Sequence, residues 1–185
     1  MAKAKSASDN QPLAIELLMT DHRKVETLFD QYEEEKESGE ETKQALAQRI
    51  CGELTVHAQV EEELFYPWLR DNLDEEKMEL VEEAEVEHQS AKDLIAQIEA
   101  AGAVDETYDA KVKVLGEYIK HHVQEEENEI FGEVREMREE LDELGQEMAA
   151  RKAELMEEMG LAGDEESMVA LQPQKKGGRQ QGARR

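Results

Sequence analysis

Two short segments of the chain pair a histidine with a glutamate four residues later. The pairs are His57 with Glu61 and His122 with Glu126. Residues four apart lie on the same side of an α-helix, so each pair would project an imidazole and a carboxylate in one direction. This mixed nitrogen and oxygen set suits iron, manganese or zinc. The spacing therefore predicts two chelating pairs, provided that both segments are helical.

The two pairs belong to an internal repeat that contains two more histidines. Segment 57–62 (HAQVEE) reappears as 122–127 (HVQEEE) at an offset of 65, and His22 corresponds to His88 at an offset of 66. Two helix pairs of one design, joined in a single chain, would pack with pseudo-twofold symmetry and place corresponding residues opposite one another. Such symmetry suits a site with two metals.

Four apolar stripes must position these side chains. Each stripe alternates spacings of three and four residues, which is the period of one buried helix face. The stripes include, in order, His22; then His57, Glu61, Leu64 and Trp68; then His88; then His122 and Glu126. Buried carboxylates without a partner are costly, so six inward polar groups need strong compensation. Metal cations would provide it.

Composition and turn signals indicate an all-α fold. Only 4% of the 185 residues are aromatic and three are proline, which is typical of long helices rather than sheets. Cap and turn signals delimit four helices at Asn10-Gln11-Pro12, Ser38-Gly39, Asp74, Gly102 and Asp105. Short connections favour antiparallel neighbours, so we predict an up-down-up-down four-helix bundle with a long C-terminal helical extension.

We expect four regions along the chain: a flexible N-terminus (1–9), the bundle (10–135), a helical extension (136–160) and a flexible basic tail (161–185). Apolar residues continue at mostly helical spacing through the extension, which can fold back or pair with another chain. The tail can dock on the acidic body or on an anionic partner. Self-association or partner binding is therefore expected through the extension or the tail.

Net charge and cysteine usage limit the partners and the compartment. A formal net charge of -25 opposes nucleic-acid binding by the body, because phosphates would be repelled. The single cysteine, Cys51, has no internal disulfide partner. The first residues show no secretory apolar run, and no stretch approaches the ~20 apolar residues that cross a bilayer. We expect a cytoplasmic protein that does not associate with membranes.

Taken in order, these motifs closely resemble the hemerythrin-like, or HHE cation-binding, domain family over roughly residues 12 to 135. The motifs are His22, His57-Ala-Gln-Val-Glu61-Glu62-Glu-Leu-Phe-Tyr-Pro67, Glu87-His88 and His122-Val-Gln-Glu-Glu126-Glu127. The resemblance implies a fold of four helices around two iron ions (Fe2+/Fe3+) with an oxo or hydroxo bridge. It implies that the terminal ligands are His22, His57, His88 and His122, and that the bridging ligands are Glu61 and Glu126.

Four positions near this motif bear on activity. Oxygen-carrying hemerythrins have a fifth histidine one turn from the third-helix histidine, where this chain has Ala84 and Lys92. Some family members have a glutamate ligand directly after the second-helix histidine, where this chain has Ala58. The resemblance thus implies coordination positions open to water or O2. His121, one residue off the inward stripe, is a secondary ligand candidate because His121-x4-Glu126 has the oxygen carriers' spacing.

The resulting hypothesis is a non-haem di-iron protein that binds or senses O2 or a related small oxidant, rather than a dedicated enzyme. Two alternatives use the same centre: iron storage or sensing, and turnover of peroxide or nitric oxide. A third alternative, from another class, is a metal-free helical interaction module whose functional surface is the extension. The ligand set alone does not distinguish among these functions.

Overall fold

The computed structural model describes residues 11–35, 39–101 and 107–162. Within these ranges the chain forms helices and no strand, as the all-α prediction requires. The expected N-terminus (1–9), the signals at Asn10, Ser38, Gly102 and Asp105, and the tail beyond residue 162 lie outside the described residues. No described helix combines the length and apolar character needed to cross a membrane.

In the described part of the chain five long helices follow one another, and two of them contain a short π-helical turn. Helix α1 is Leu13–Glu34, and α2 comprises Glu40–Val60, a π-helical turn at Glu61–Phe65, and Tyr66–Asn72. A 3₁₀ turn, Glu75–Lys77, precedes α3 at Met78–Ala100. Helix α4 comprises Tyr108–Glu125, a second π-helical turn at Glu126–Ile130, and Phe131–Val134. Helix α5 is Arg138–Glu158.

Helices α1 to α4 form the predicted up-down-up-down bundle. The pairs α1–α2 and α3–α4 pack along their lengths, and contacts of α2 with α3 and of α1 with α4 close the ring. The interior contains two apolar cores, one built around Phe65, Tyr66 and Phe131 and the other around Ile50 and Leu115. A layer of buried polar side chains lies between them along the helices, at the level of the histidines.

The C-terminal extension folds back on its own bundle. Helix α5 packs on α1 and α2 and buries Leu141, Met148 and Leu155. The approach to α1 is so close that a Cβ at Gly145 would lie 2.5 Å from the backbone nitrogen of Ala14, so only glycine fits there. Asp142 accepts a hydrogen bond of 2.7 Å from the backbone N–H of Leu13, which satisfies a free donor at the start of α1.

The two π-helical turns begin at Glu61 and Glu126, the predicted bridging residues. In such a turn the backbone hydrogen bond runs from residue i+5 to residue i. The amide of Tyr66 accordingly donates to the carbonyl of Glu61, and that of Phe131 to Glu126. Each aromatic side chain therefore emerges near the same side of the helix as the glutamate before it.

The turn in α2 also corrects one part of the predicted core. Leu64 and Trp68 were expected to face inward, but both are only partly buried. Phe65 and Leu69 are fully buried instead. The π-helical turn contains one residue more than an α-helical turn. The buried positions after Glu61 are therefore shifted by one residue along the sequence.

Candidate metal centre

The six predicted ligands meet in one layer across the bundle, called here the inner layer. Its members are buried, none more than 6% exposed: His22, His57, Glu61, His88, His122 and Glu126. Their ligating atoms form two groups, each with all atoms within 4.8 Å of one another. One group contains His22, His57, Glu61 and Glu126, and the other contains Glu61, His88 and His122. The layer thus has two centres that share a carboxylate.

Glu61 occupies the position of a bridge between the two groups. Its Oε2 lies 3.2 Å from Nε2 of His57 and 3.2 Å from Nε2 of His88. Glu126 Oε2 lies 3.2 Å from Nε2 of His22. In every case the imidazole presents Nε2 to the centre of the layer, so the atoms that face inward are those that would coordinate a cation.

The donor atoms of the layer fit metal ions. Both oxygens of Glu61 and of Glu126 and the Nε2 atoms of His22 and His57 have no hydrogen-bond partner among the described residues. Buried polar atoms without partners are strongly unfavourable. Two cations between the carboxylates would compensate all of them, and nitrogen with carboxylate oxygen is a ligand set that iron accepts.

Electrostatics at the two glutamates lead to the same conclusion. Burial, reinforced by the facing Glu126, raises the pKa of Glu61 well above its usual range. Burial also acts to raise the pKa of Glu126, but His22 and His122 outweigh it and lower the pKa to about 2. Two neighbouring buried carboxylates resist being ionised together. Positive charge between them would allow both to ionise.

The two histidines of the first group differ in charge state. Burial lowers the pKa of His57 to about 4, with partial opposition from Asp21, so its ring is neutral and has a lone pair to donate. Burial acts in the same direction on His22, but Glu126 and Glu127 overcome it and raise the pKa to about 10. A metal binding at His22 would therefore displace a proton.

Around the inner layer stands a second set of acids that sequence analysis missed, called here the outer carboxylates: Asp21, Glu62, Glu87 and Glu127. Each faces the Nδ1 of a histidine on another helix. The Nδ1 distances are 2.8 Å for His22 to Glu127, 3.6 Å for His57 to Asp21, 3.1 Å for His88 to Glu62 and 2.9 Å for His122 to Glu87. The contacts of His22, His88 and His122 are within hydrogen-bond distance, and an Nδ1–H held by a carboxylate leaves Nε2 free for a metal. The 3.6 Å separation at His57 is too long for a hydrogen bond, and its Nδ1 has no partner among the described residues.

The outer carboxylates link the four helices in a closed cycle. Each carboxylate faces the histidine of the next helix: Asp21 of α1 faces α2, Glu62 of α2 faces α3, Glu87 of α3 faces α4, and Glu127 of α4 faces α1. Each acid is the sequence neighbour of an inner-layer residue on its own helix. Asp21 and Glu87 directly precede the corresponding histidines His22 and His88, and Glu62 and Glu127 directly follow Glu61 and Glu126. This recurrence of an acid beside each repeated residue was the signal that could have identified them.

Basic side chains contact the outer carboxylates in turn. Arg23 lies 2.5 Å from Glu127, and Lys92 lies 2.6 Å from both oxygens of Glu62. His88 and Lys92 lower the pKa of Glu62 to about 2, against the effect of burial. Lys152, which contacts Asp21, comes from α5. The fourth contact, from His121 to Glu87, is 3.6 Å long.

His121 itself lies outside the inner layer. Its side chain is 59% exposed, and its Nε2 is 3.2 Å from Glu125 and 3.6 Å from Glu87. The structure therefore does not bring this secondary candidate to the two centres. It places His121 in a separate cluster with two glutamates.

One aromatic position distinguishes the two halves of the layer. The hydroxyl of Tyr66 lies 3.2 Å from Nε2 of His88. Its repeat counterpart, Phe131, has no hydroxyl and lies parallel to His22, with ring centroids 6.1 Å apart. The half that contains His88 thus has an additional polar group beside its coordinating nitrogen.

Within the described residues, two cavities that reach the inner layer differ in their lining. The first, the apolar pocket, touches all four histidines and is otherwise lined mainly by Val25, Leu54, Ala58, Ala91, Ile95, Ile119 and Val123. The volume of this cavity is about 20 Å³, which is room for a very small ligand. The second, the acidic groove, is lined by Glu83, Glu87, Glu125, Glu126 and Glu129 with Leu80, Ala84, His122 and Ile130.

Comparison with known proteins gives three findings. The family model for the hemerythrin HHE cation-binding domain matches residues 13–134. The crystal structure of a hemerythrin HHE cation-binding domain-containing protein from Mycobacterium kansasii aligns with a TM-score of 0.64 and 26% identity, covering 79% of this chain and 86% of that one. A protein named DNA nickase, from Nostoc sp. strain PCC 7120, is 28% identical over 157 residues, which are 83% of this chain but span only 43% of the relative.

Proposed function

The chain belongs to the hemerythrin HHE cation-binding domain family, and from this premise we propose that it is a non-haem di-iron protein that binds or senses O2 or a related small oxidant. The observation that carries the proposal is the inner layer. Four buried imidazoles and two buried carboxylates converge there. Both oxygens of each carboxylate and the Nε2 atoms of His22 and His57 have no hydrogen-bond partner among the described residues. Cation binding follows from the family, and two irons account for the number and arrangement of the donors.

In this proposal each half of the layer holds one iron. His22 and His57 would hold the first, His88 and His122 the second, and Glu61 and Glu126 would span both. Three outer carboxylates, Glu127, Glu62 and Glu87, would hold the rings of His22, His88 and His122 in the orientation and tautomer that binding requires. Iron bound in this way supplies the redox change and the coordination position through which a small oxidant is bound.

The residues of the apolar pocket would select the ligand. Ala58 and Lys92 stand where the resemblance places extra ligands in other family members, and both line this pocket. The short side chain of Ala58 leaves room beside the histidines, and the apolar walls favour a small neutral molecule over an ion. Binding or sensing of O2 is therefore favoured over chemistry on a large substrate.

The name of the Nostoc relative does not change this proposal. The chain spans less than half of that protein, and a net charge of -25 opposes binding to a phosphate backbone. We therefore do not extend DNA cleavage to this chain.

Reversible spectral change tests the proposal. The protein is loaded with iron under anaerobic conditions, exposed to air and then degassed, while its absorption spectrum is followed. We expect new near-ultraviolet and visible bands in air that decrease on degassing for a carrier or persist until reduction for a sensor. An iron-loaded sample with no change in air would reject both roles.

A pocket variant gives the matched control. Ala91→Leu adds bulk inside the apolar pocket and should slow the response to air at unchanged iron content, because Ala91 lines the pocket. Ala96→Leu makes the same change at an exposed position of α3 and should respond like the wild type. Equal rates for both variants would show that the pocket is not the path of the ligand.

The alternatives give different results in the same preparation. Steady-state consumption of peroxide or nitric oxide by catalytic amounts of protein would indicate turnover. Iron bound in excess of two ions per chain, and released on reduction, would indicate storage. Protein that retains no metal after purification without chelators, and takes up none, would indicate an interaction module.

A further inference from the structure

The acidic groove opens between α3 and α4 and ends at the inner layer. Four of its glutamates, Glu83, Glu87, Glu125 and Glu129, lie toward the surface side of the two helices, and none of its lining residues is a lysine or an arginine. At its inner end are His122 and Glu126. The groove therefore connects solvent with two of the predicted metal ligands through negatively charged walls.

A compact cluster of donors lies beside the mouth of this groove. His121, Glu87 and Glu125 each offer a ligand atom, and these atoms lie within 4.8 Å of one another. The side chains are 59%, 22% and 34% exposed. One imidazole and two carboxylates form a ligand set for a divalent first-row cation, and this set is accessible from solvent.

The charge around the cluster is unbalanced. Glu83 and Glu129 line the same groove as Glu87 and Glu125, and none of the lining residues is a lysine or an arginine. His121 therefore has several carboxylates near it and no neighbouring ammonium or guanidinium group in the groove. A cation in the cluster would relieve the repulsion among these carboxylates.

Two further observations connect the cluster with the centre. Glu87 places one oxygen 3.6 Å from Nε2 of His121 and the other 2.9 Å from Nδ1 of His122. Glu126 is 1% exposed and lines the inner end of the groove with two oxygens that have no hydrogen-bond partner among the described residues. A cation leaving the cluster would thus move toward a buried carboxylate that lacks a partner.

We propose that His121, Glu87 and Glu125 form an outer divalent-cation site through which Fe2+ enters the inner layer along the acidic groove. The entry role rests on the proposed di-iron function, whereas cation binding at the outer site does not. The two cavities then have separate tasks. The negatively charged groove admits cations, and the apolar pocket admits small neutral ligands.

Equilibrium binding of Mn2+ tests the site itself. Mn2+ is titrated into the iron-loaded full chain while free Mn2+ is measured by electron paramagnetic resonance. We expect one binding site in excess of the inner layer, and its loss in the double variant His121→Ala/Glu125→Gln. The matched control, Glu117→Gln, removes the same carboxylate charge from an exposed position of α4 and should retain the site. Binding that is absent, or equal in all three proteins, would overturn the outer site.

The rate of iron uptake tests the entry role. Metal-stripped protein is mixed anaerobically with Fe2+, and loading is followed to its end point. We expect the double variant to load at least about tenfold more slowly than the wild type and Glu117→Gln, with the same final iron content. Equal rates would overturn entry through the groove. A wild-type chain that never loads iron would instead overturn the proposed function, while the Mn2+ titration would still report on the outer site.

Discussion

The half of the centre that contains His22 and His57 and the half that contains His88 and His122 share one plan but have different surroundings. In the first half α5 covers the bundle, and its Lys152 contacts Asp21. In the second half the equivalent acid, Glu87, contacts the exposed His121 and lines the acidic groove. The inner layer is nearly symmetric and buried in both halves, whereas α5 covers one half and the acidic groove lies beside the other.

The aromatic residues that follow the two π-helical turns also differ between the halves. Phe131 lies against His22 in the first half, and Tyr66 brings a hydroxyl to His88 in the second. The repeat thus supplies equivalent ligands to the two halves, while residues outside the ligand set make the halves chemically distinct. Variants that act on both halves, on one half or only on its surroundings should therefore have effects of decreasing size.

The largest effect is expected when a shared ligand is removed. Glu61→Ala or Glu126→Ala should reduce iron from two ions per chain to one or none, because each carboxylate belongs to both halves in the proposed arrangement. Iron analysis after anaerobic reconstitution and desalting measures this. Glu63→Ala, an exposed position on the same helix, is the control and should retain two ions. Full iron content in either bridging variant would contradict the shared role.

Removing one terminal ligand should break one half and spare the other. His22→Ala and His88→Ala are each expected to retain one iron per chain, because the opposite pair of histidines is intact. The double variant should retain none. Iron content and the absorption spectrum of each variant provide the measurement. Loss of both irons in either single variant would mean that the halves do not bind independently.

A smaller effect is expected from exchanging the aromatic residues. Tyr66→Phe should keep two irons but alter the absorption spectrum, because the hydroxyl lies beside the coordinating nitrogen of His88. In the metal-free protein the lost hydrogen bond should cost about 1 kcal/mol of unfolding free energy, measured by urea denaturation. Phe131→Tyr adds a hydroxyl in the other half and serves as the reciprocal test. Identical spectra for Tyr66→Phe and the wild type would show that the Tyr66 hydroxyl does not influence the metal in its half.

The smallest effect is expected from the lysines that contact the outer carboxylates. Lys152→Met and Lys92→Met leave Asp21 and Glu62 in place but remove a neighbouring cation. Each should weaken iron binding by less than the ~10-fold that is typical when a histidine loses its carboxylate partner. Competition with a chelator measures the affinity, and Lys113→Met, an exposed position on α4, is the control. An unchanged iron affinity in both variants would show that the lysines do not influence iron binding, and that only the carboxylates act on the histidines.

The helices and the inner layer could be predicted because both follow from local periodicity. Stripes with spacings of three and four residues marked the buried faces, and histidines and glutamates within them stood out against apolar neighbours. The repeat then indicated that the two halves face each other. The periodic spacings lie within a few residues of one another, the repeat can be read directly from the sequence, and neither signal depends on how the helices pack.

The remaining features depend on packing and on departures from α-helical geometry. Leu64 and Trp68 were expected inside because an α-helical period does not register the extra residue of a π-helical turn. Asp21 was missed because the histidine that it serves lies on another helix. The sequence left open whether the extension would fold back, because the docking of α5 depends on the close approach of Gly145 to α1.

Two irons held close together on histidine and carboxylate ligands can be detected by iron K-edge X-ray absorption of the anaerobically reconstituted chain, with iron quantified in the same sample. We predict two irons per chain, each with nitrogen and oxygen neighbours and each with a second iron in its scattering shell. A single iron without an iron neighbour, or iron that persists in the His22→Ala/His88→Ala variant, would show that the inner layer does not hold the proposed pair.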